Sequence, residues 1–297
     1  MIWVIGCRGM LGTELCRQLS ESGIDFIGTD STTDITDFSS LESFCSSHDG
    51  KIDFIVNCAA YTAVDKAESD EALAEKINYL GAGNVAKIAK KIGAKLIHVS
   101  TDYVFDGTGK TPYAEDDPIA PLGVYGRTKA LGEKAVSESG ADFYILRTAW
   151  LYGWAGKNFV YTMLRAMNMR ESVKVVCDQR GTPTFCGTLA RVIIQIAKSG
   201  NVPFGIYHVT DEGETTWFEF TKEIQRQAKD LSFVPNVGRC AVNSCTTEEY
   251  PTPAKRPAYS VLSKQKIQSA LSMKLPSWQE SLGEFLSGGL FDKSRVE

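Results

Sequence analysis

Tyr125 and Lys129 stand four positions apart in the segment YGRTK. On a helix, residues four apart share one face, so the phenol and the ammonium would be neighbours. An ammonium beside a phenol stabilises the phenolate and lowers its pKa, which suits a general acid that works near neutral pH. Taken alone, such a pair is more often an ordinary solvated turn of helix, so the prediction depends on what precedes it.

A hydroxyl residue upstream completes a reactive set. Thr101 ends the apolar run KLIHVST and is expected at the carboxyl end of a strand. A helix from about Tyr125 to Glu138 is expected to pack beside that strand, which would bring three polar groups into one pocket. We therefore predict Tyr125 as a proton donor, Lys129 as the group that tunes it, and Thr101 as the hydroxyl that binds a carbonyl oxygen.

The segment GCRGMLG lies between a predicted strand and a predicted helix and carries Gly6, Gly9 and Gly12. Glycines permit a tight turn and let a pyrophosphate approach the helix N-terminus, although a plain tight turn can use the same letters. Asp30 ends the second predicted strand, where a carboxylate can bind an adenosine ribose and repel a 2′-phosphate. Arg8 can offset that repulsion, so the sequence does not rank NADH against NADPH.

Further cofactor contacts are expected after the second and third strands. Asp34 and Ile35 can lie along an adenine, but Asp34 and Asp37 can equally cap the following helix. The small residues of NCAAYTAVDKAES let a ligand pass close to the backbone, although an ordinary strand-to-helix loop is an alternative. The predicted cofactor-binding residues are Gly6, Arg8, Gly9, Met10, Leu11, Gly12, Asp30, Asp34, Ile35, Ala59, Ala60, Tyr61, Thr62, Tyr125 and Lys129.

Short apolar runs alternate with amphipathic stretches through the first half of the chain, which is typical of βαβ units and a parallel sheet. A long helix is predicted over residues 69–93, with Ser69 as its N-cap. In the second half, VKVVCD and GIYHVT are predicted strands, and the stretch between them is a predicted helix that covers the same sheet. Strands of the first half are predicted at MIWVIG, DFIGTD, IDFIVNCAA, KLIHVST and DFYILRT.

These elements predict an α/β protein with a Rossmann-like doubly wound parallel sheet and a smaller C-terminal substrate-binding lobe. The NAD(P)-binding domain is expected over residues 1–152 and to take back strands from about 173–212. Residues 153–172 and 213–297 form the predicted substrate-binding lobe.

Composition excludes several other classes of function. The net charge of −4 favours neither nucleic acid nor an anionic membrane as partner, and no apolar run reaches the ~18 residues of a membrane span. Eight scattered cysteines without a C-x-x-C pair, after a start that reads as a strand, predict free thiols and a cytoplasmic protein. The three histidines lack metal-ligand spacing, and His98 and His208 are expected to be packed or hydrogen-bonded.

Seven segments together closely resemble the dTDP-4-dehydrorhamnose reductases, a family of the extended short-chain dehydrogenase/reductases. The resemblance runs from residue 1 to about 285. It implies reduction by NADPH or NADH of the C4 ketone of dTDP-4-dehydro-L-rhamnose, the last step of dTDP-rhamnose biosynthesis for cell-surface polysaccharide. The segments are GCRGMLG, NCAAYTAVDKAE, STDYVFDG, YGRTK, RTAWLYG, DQRGTPT and YPTPAKRP, of which the second and third are the most specific.

The resemblance also implies roles for single residues. Lys129 would hold the nicotinamide ribose as well as tune Tyr125. Trp150 can face the sugar or be a core aromatic, and Arg256 can grip a diphosphate or anchor its proline-rich loop. The substrate-binding residues implied in this way are Val64, Thr101, Asp102, Tyr103, Trp150, Asn158 and Arg256.

One feature of the resembled family is not matched in full. Some members dimerise around Mg²⁺ held by glutamates; Glu14 fits the first position, but the later one falls near Gly187, which offers no ligand. No metal ligand is therefore predicted, and the protein is expected to be a monomer or a homodimer. Two alternatives remain open: a reductase or epimerase of another nucleotide sugar, and a non-catalytic regulatory subunit similar to the methionine adenosyltransferase β-subunit.

Overall fold

The computed structural model describes residues 1–48 and 52–296. Its strands are β1 (Ile2–Ile5), β2 (Phe26–Thr29), β3 (Phe54–Asn57), β4 (Lys95–Thr101), β5 (Phe143–Thr148), β6 (Leu151–Tyr152), β7 (Ser172–Val176), β8 (Arg180–Gly181), β9 (Thr184–Phe185), β10 (Gly205–His208), β11 (Thr215–Thr216) and β12 (Ala241–Cys245). Its α-helices are α1 (Met10–Glu21), α2 (Phe38–Ser46), α3 (Val64–Ala67), α4 (Glu71–Glu75), α5 (Ala82–Ile92), α6 (Val124–Ser137), α7 (Phe159–Met169), α8 (Cys186–Ser199), α9 (Trp217–Ala228), α10 (Gln265–Leu271) and α11 (Trp278–Ser287).

In the described part of the chain, six strands form a parallel sheet in the order β10-β5-β4-β3-β1-β2. The chain moves outward from β1 to β2 and then crosses to β3 on the other side of β1. The strand order therefore reverses between β1 and β3, and in open α/β sheets ligands bind beyond the carboxyl ends of the strands at such a point.

Both faces of the sheet are covered, which explains why its strands are continuously apolar. Successive side chains of a strand point to opposite faces. Val4 belongs to an apolar cluster with residues of α1 and α8, whereas Trp3 and Ile5 belong to a second cluster with residues of α2 and α5. The predicted α/β fold with a doubly wound sheet is confirmed.

A third apolar cluster, rich in aromatic residues, lies among α7, α9 and α11. Helices α9 and α11 each begin with a capping box, in which Thr216 pairs with Glu219 and Ser277 with Glu280. A short parallel ladder of β7 and β12 packs on this cluster. The domain boundaries given above stay a prediction.

Of the two later predicted strands, only β10 joins the main sheet, where it pairs with β5. The stretch VKVVCD forms β7, which pairs with β12 instead, so its expected place in the main sheet is wrong. The reason is its alternating burial, with Val173 and Val175 buried and Ser172 and Lys174 exposed. A strand in the middle of a doubly covered sheet has both faces buried.

The helix predicted over 69–93 is interrupted. It consists of α4, a π-helical turn at Lys76–Gly81, and α5. Asp70 rather than Ser69 is the N-cap residue of α4, and the Ser69 hydroxyl donates to the carbonyl of Lys66. Among the described residues, no helix is long and apolar enough to cross a membrane.

Candidate active site

The turn after β1 is a cradle in which a Cβ atom would collide with backbone. Gly6 has φ +79°, and a Cβ on it would lie 2.9 Å from the amide nitrogen of Ala59. A Cβ on Gly12 would lie 2.1 Å from the carbonyl oxygen of Gly6. The turn can therefore bring backbone N–H groups and the start of α1 close to an anion such as a pyrophosphate. This arrangement fits the dinucleotide predicted from the sequence.

A groove of about 640 Å³ begins at this cradle and extends past the ends of β2 and β3. Its wall also includes residues that the sequence did not suggest, among them Leu73 and Lys76 from α4 and the π-helical turn. Of the predicted cofactor-binding residues, the groove brings together Gly6, Arg8, Gly9, Asp30, Asp34, Ile35, Ala59 and Ala60.

Two acidic residues after β2, Asp30 in the groove wall and Asp37 outside it, accept hydrogen bonds from nearby backbone N–H groups. The Asp30 carboxylate accepts from the backbone N–H of Arg8 at 3.1 Å and of Ser31 at 2.9 Å. Its position is thus set by the glycine-rich turn itself. Asp37 caps α2 by accepting from the N–H of Ser39, which confirms the capping alternative for that residue.

Seven predicted cofactor-binding residues are not part of the groove wall: Met10, Leu11, Gly12, Tyr61, Thr62, Tyr125 and Lys129. Leu11 is buried in the core below the sheet, and Met10 packs against Gly153 and Gly156. Thr62 is exposed. Contact of these residues with a cofactor stays a prediction.

Asn78, which sequence reasoning missed, holds the loop after β3. Its Oδ1 accepts from the Tyr61 N–H at 2.8 Å, and its Nδ2 donates to the Tyr61 carbonyl and to the Thr128 hydroxyl, both at 3.1 Å. Asn78 is buried in the π-helical turn, and such turns recur at functional sites. One amide thus connects the groove loop to α6, the helix that carries Tyr125.

The predicted reactive residues converge beyond β4. Thr101 ends β4, and Tyr125 and Lys129 lie on α6, which packs against that strand. The Thr101 hydroxyl donates to the Asp102 carboxylate at 3.0 Å and accepts from the Tyr103 N–H at 3.2 Å. The rings of Tyr103 and Tyr125 meet edge to face with centroids 5.5 Å apart.

The expected effect of Lys129 on the phenol of Tyr125 is not found. Burial raises the pKa of Tyr125, the side chain of Thr101 opposes this through hydrogen bonding, and the charge of Asp102 raises it further. The amino group of Lys129 is instead engaged by the Val99 carbonyl at 2.7 Å. A raised pKa keeps the phenol protonated at neutral pH, which is the form a proton donor requires.

Two other titratable groups beside Tyr125 are shifted by burial. Burial lowers the pKa of Lys129 to about 8, although the charges of Glu133 and Cys58 act in the opposite direction. Burial raises the pKa of Asp102 to about 6, opposed by hydrogen bonds from Ser260 and Thr101. Both groups therefore change charge within about two pH units of neutrality.

The first turn of α6 is capped by a residue that is distant in sequence, Glu68. The N-cap residue Gly123 has no side chain, and the carboxylate of Glu68 accepts from the N–H of Val124 at 2.9 Å. A Cβ on Gly123 would lie 2.5 Å from the Glu68 oxygen. A carboxylate at this place also suits the positive end of the helix dipole. Glu68 thus fixes the turn that carries Tyr125.

Replacing Glu68 by alanine is expected to lower the free energy of unfolding by about 1 kcal/mol, because the Val124 N–H loses its acceptor. A several-fold loss of kcat should accompany this, since the turn bearing Tyr125 frays. Thermal melts and steady-state kinetics measure both effects. Glu71→Ala removes a carboxylate from the exposed pair with Arg127 and is the matched control, expected within about 0.5 kcal/mol of the parent. Equal behaviour of the two variants would contradict the capping role.

Gly126 makes a close approach of two segments possible. A Cβ here would lie 2.1 Å from the Tyr103 carbonyl and 3.0 Å from Pro121. Gly126 therefore lets α6 approach the loop that follows β4. The same close approach sets the distance between Tyr125 and Thr101.

A second cavity, of about 330 Å³, lies between the sheet edge and the aromatic lobe. It joins the reactive residues through Tyr103, which lines it and touches Tyr125. The segments DQRGTPT and YPTPAKRP, quoted for the family resemblance, each contribute to its wall, which is the signal that pointed toward it. The cavity is lined by Tyr103, Phe159, Thr162, Met163, Lys174, Val175, Val176, Gln179, Trp217, Tyr250, Thr252 and Arg256.

Arg256 anchors the proline-rich loop, and its contact with a diphosphate stays a prediction. Its guanidinium donates to the Tyr103 hydroxyl at 2.9 Å and pairs with Asp65 at 2.6 Å. The second oxygen of Asp65 accepts from the Ala254 N–H at 3.2 Å, so the proline-rich loop is anchored. Arg256 also lines the cavity, where its charge can meet an anion.

Trp150 is held in a strained backbone conformation. Trp150 has φ +46° and stacks on Trp217 with centroids 3.5 Å apart, so it supports the wall of the cavity.

Asn158 caps α7 by accepting from Tyr161 N–H and donates to the carbonyl of Gly153. Each polar atom of Asn158 thus makes one hydrogen bond within the protein, and the nucleotide contact implied by resemblance stays a prediction.

Glu14 and Gly187, the positions compared with a Mg²⁺ site, are neighbours across α1 and α8. The Gln18 amide donates to the Glu14 carboxylate at 2.7 Å and to the Gly187 carbonyl at 3.0 Å. Glu14 also pairs with Arg17 at 2.6 Å. Within residues 1–48 and 52–296, no group of three or more His, Cys, Asp or Glu could hold a metal ion.

The strand order and the glycine cradle at its reversal define a Rossmann-type, dinucleotide-binding oxidoreductase. The chain matches the family described as "RmlD substrate binding domain" over residues 1–290. It belongs to this family, that of the dTDP-4-dehydrorhamnose reductases, as the sequence motifs predicted.

Three relatives illustrate the match. The dTDP-4-dehydrorhamnose reductase of Escherichia coli is 40% identical over 96% of this chain and 97% of its own. A probable dTDP-4,6-dihydroxy-2-methyloxan-3-one 4-ketoreductase of Streptomyces antibioticus is 42% identical over 96% and 94%. The crystal structure of dTDP-4-dehydrorhamnose reductase from Bacillus anthracis in complex with NADP has a TM-score of 0.88 at 36% identity, over 96% and 98%. The predicted nicotinamide cofactor is confirmed at the level of the family.

Proposed function

We propose that this protein reduces the C4 ketone of dTDP-4-dehydro-L-rhamnose to dTDP-L-rhamnose with NADPH or NADH. The observation that carries the proposal is the meeting of a protonated phenol, Tyr125, with Thr101 at the sheet edge, between the glycine cradle and the aromatic cavity. The relatives named reductases and 4-ketoreductase support the same reaction class.

In this proposal each reactive residue acts at a stated atom. When bound, a reduced nicotinamide cofactor would supply the hydride. Thr101 holds the C4 oxygen of the ketone, and Tyr125 gives that oxygen its proton as negative charge develops on it. Lys129, on the same face of α6, orients the cofactor ribose. Each role uses a side chain that is at least half-buried, so water is largely excluded from the proton transfer.

The cavity of the aromatic lobe is the proposed site for the nucleotide of the substrate. Its wall offers the rings of Phe159, Trp217 and Tyr250 to a base, and the cations of Lys174 and Arg256 to a diphosphate. The cavity reaches Tyr125 through Tyr103, so a sugar bound at that end of the cavity would present its ketone to the phenol.

A reductase of another dTDP-4-ketosugar is the second candidate. The 42% identity to the Streptomyces antibioticus 4-ketoreductase favours it, because that relative is named for a different ketosugar. We further propose a cytoplasmic location, on the basis of the biosynthetic reaction, and a monomer or homodimer.

The deciding experiment follows absorbance at 340 nm with dTDP-4-dehydro-L-rhamnose and each reduced nicotinamide cofactor. Stoichiometric oxidation of the cofactor with appearance of dTDP-L-rhamnose by NMR is the expected result. Turnover without net oxidation would indicate an epimerase, and turnover of only another dTDP-4-ketosugar would indicate the second candidate. Tight cofactor binding without turnover of any ketosugar would indicate a regulatory subunit.

A further inference from the structure

His98 on β4 is a buried histidine that directly faces Lys129. Its exposed fraction is 1%, and that of Lys129 is 2%. The His98 Nε2 lies 3.5 Å from the Lys129 Nζ, whereas the Nζ donates to the Val99 carbonyl at 2.7 Å. The amino group is therefore placed between a carbonyl oxygen, which can only accept, and a ring nitrogen whose role depends on where the imidazole carries its proton.

The neighbouring Asn57 determines which ring nitrogen of His98 carries the proton. A backbone N–H can only donate, and the N–H of Ala59 points at the Asn57 Oδ1 at 3.1 Å. This contact orients the amide, so that the Nδ2 of Asn57 faces the Nδ1 of His98 at 3.2 Å. An amide nitrogen is a donor only, hence Nδ1 must be the acceptor and the neutral ring carries its proton on Nε2.

The proton on Nε2 then points at Lys129. An ammonium has three donors and no acceptor, so a charged Lys129 would set donor against donor. A neutral amine keeps one lone pair, which can accept from Nε2–H while an amine N–H still donates to the Val99 carbonyl. The arrangement of Asn57, His98 and Val99 is therefore satisfied only when Lys129 is uncharged.

We propose that His98 is a positioning residue for Lys129: locked by Asn57 with its proton on Nε2, it disfavours the ammonium form of Lys129 relative to the neutral amine in the cofactor-free enzyme. The inference deepens the proposed function, because it concerns the lysine assigned to that reaction.

Two other groups near Lys129 favour its charged form. Glu133, one turn further along α6, favours the ammonium, but its carboxylate is already bound by Arg147 at 2.7 Å and by the Ser100 hydroxyl. Cys58, after β3, also favours the ammonium. Burial outweighs both and lowers the pKa of Lys129, and burial with the Lys129 charge lowers that of His98, which stays neutral.

The test uses the full cofactor-free chain labelled with ¹⁵N-histidine and ¹³C-lysine. Long-range ¹H–¹⁵N spectra report the tautomer of each of the three histidines, and the ¹³Cε shift reports the charge of each lysine. Assignments come from His98→Gln and Lys129→Arg. We expect His98 protonated on Nε2 between pH 6 and about 9, and Lys129 titrating near pH 8, below the ~10.4 of surface lysines.

His98→Gln supplies the second readout. The glutamine oxygen can turn toward the amino group and accept from an ammonium, so the Lys129 midpoint should rise by about one unit. His208→Gln changes another buried neutral histidine, on β10, and should leave the midpoint unchanged. A purely structural role for His98 would lower stability without moving the midpoint.

The proposal is overturned by His98 protonated on Nδ1, by an imidazolium, by Lys129 titrating with the surface lysines, or by an unmoved midpoint in folded His98→Gln. If that variant does not fold, the spectra of the parent protein still test the proposal through the tautomer of His98 and the midpoint of Lys129. None of these measurements uses a substrate, so loss of the proposed reductase activity and failure of this inference are separate outcomes.

Discussion

Tyr125→Phe should reduce kcat with dTDP-4-dehydro-L-rhamnose by about 1000-fold, equivalent to ~4 kcal/mol of transition-state stabilisation. The substitution removes only the phenolic oxygen, and the ring can keep its edge-to-face contact with Tyr103. Cofactor affinity should change by less than about threefold, because the cradle at Gly6 and Gly12 is untouched. Steady-state kinetics and quenching of tryptophan fluorescence by NADPH measure the two quantities.

Tyr79→Phe is the matched control, since it deletes the same oxygen from a half-buried tyrosine outside the groove and the cavity. Its kcat should match that of the parent protein. If Tyr125→Phe kept more than about a tenth of the parent's kcat, another group would have to be the proton donor, and the proposed mechanism would fail.

Gly12→Ala should weaken NADPH binding at least ~100-fold and destabilise the fold by about 1–3 kcal/mol. The added Cβ would lie 2.1 Å from the Gly6 carbonyl oxygen and 2.8 Å from the Cys7 Cα, and backbone atoms cannot move aside as a flexible side chain can. The cradle must open instead, which moves the start of α1 away from the anion it should bind. Fluorescence titration and thermal melts test both effects.

Gly83→Ala provides the comparison within a helix. The nearest atom to its added Cβ would be the Ala135 Cβ at 3.4 Å, an ordinary contact, and alanine has the better helix propensity. This variant should bind NADPH as the parent protein does and melt at the same temperature or slightly higher. Near-normal NADPH affinity of Gly12→Ala would show that the turn after β1 does not hold the cofactor.

The sequence was most informative where local chemistry and periodicity agree. The glycines at 6, 9 and 12 required a particular turn between a strand and a helix, and the apolar runs required strands buried on both faces. Strand β4 was predicted with the bounds that the structure shows, and α6 within one residue at each end. The segments NCAAYTAVDKAE and STDYVFDG carried the family assignment.

These family motifs did not show the structural role of each residue in them. In DKAE, Asp65 anchors the loop that carries Arg256, and Glu68 caps the helix that carries Tyr125. These partners lie 191 and 56 positions away along the chain, so no local pattern contains the contact. The role of Asn78 was not predicted for a related reason. A single π-helical turn scarcely alters the spacing of the apolar residues around it, so the sequence pattern does not show the turn.

The sequence by itself determined the fold class, the turn that suits a dinucleotide, the Tyr–Lys pair and the family, because each depends on residue types at short, regular spacing. Only the tertiary structure decided that β7 leaves the main sheet, that Gly126 makes room for backbone, and that Lys129 meets His98. Charge states and close approaches depend on burial and on partners distant in sequence, and both exist only once the chain is packed.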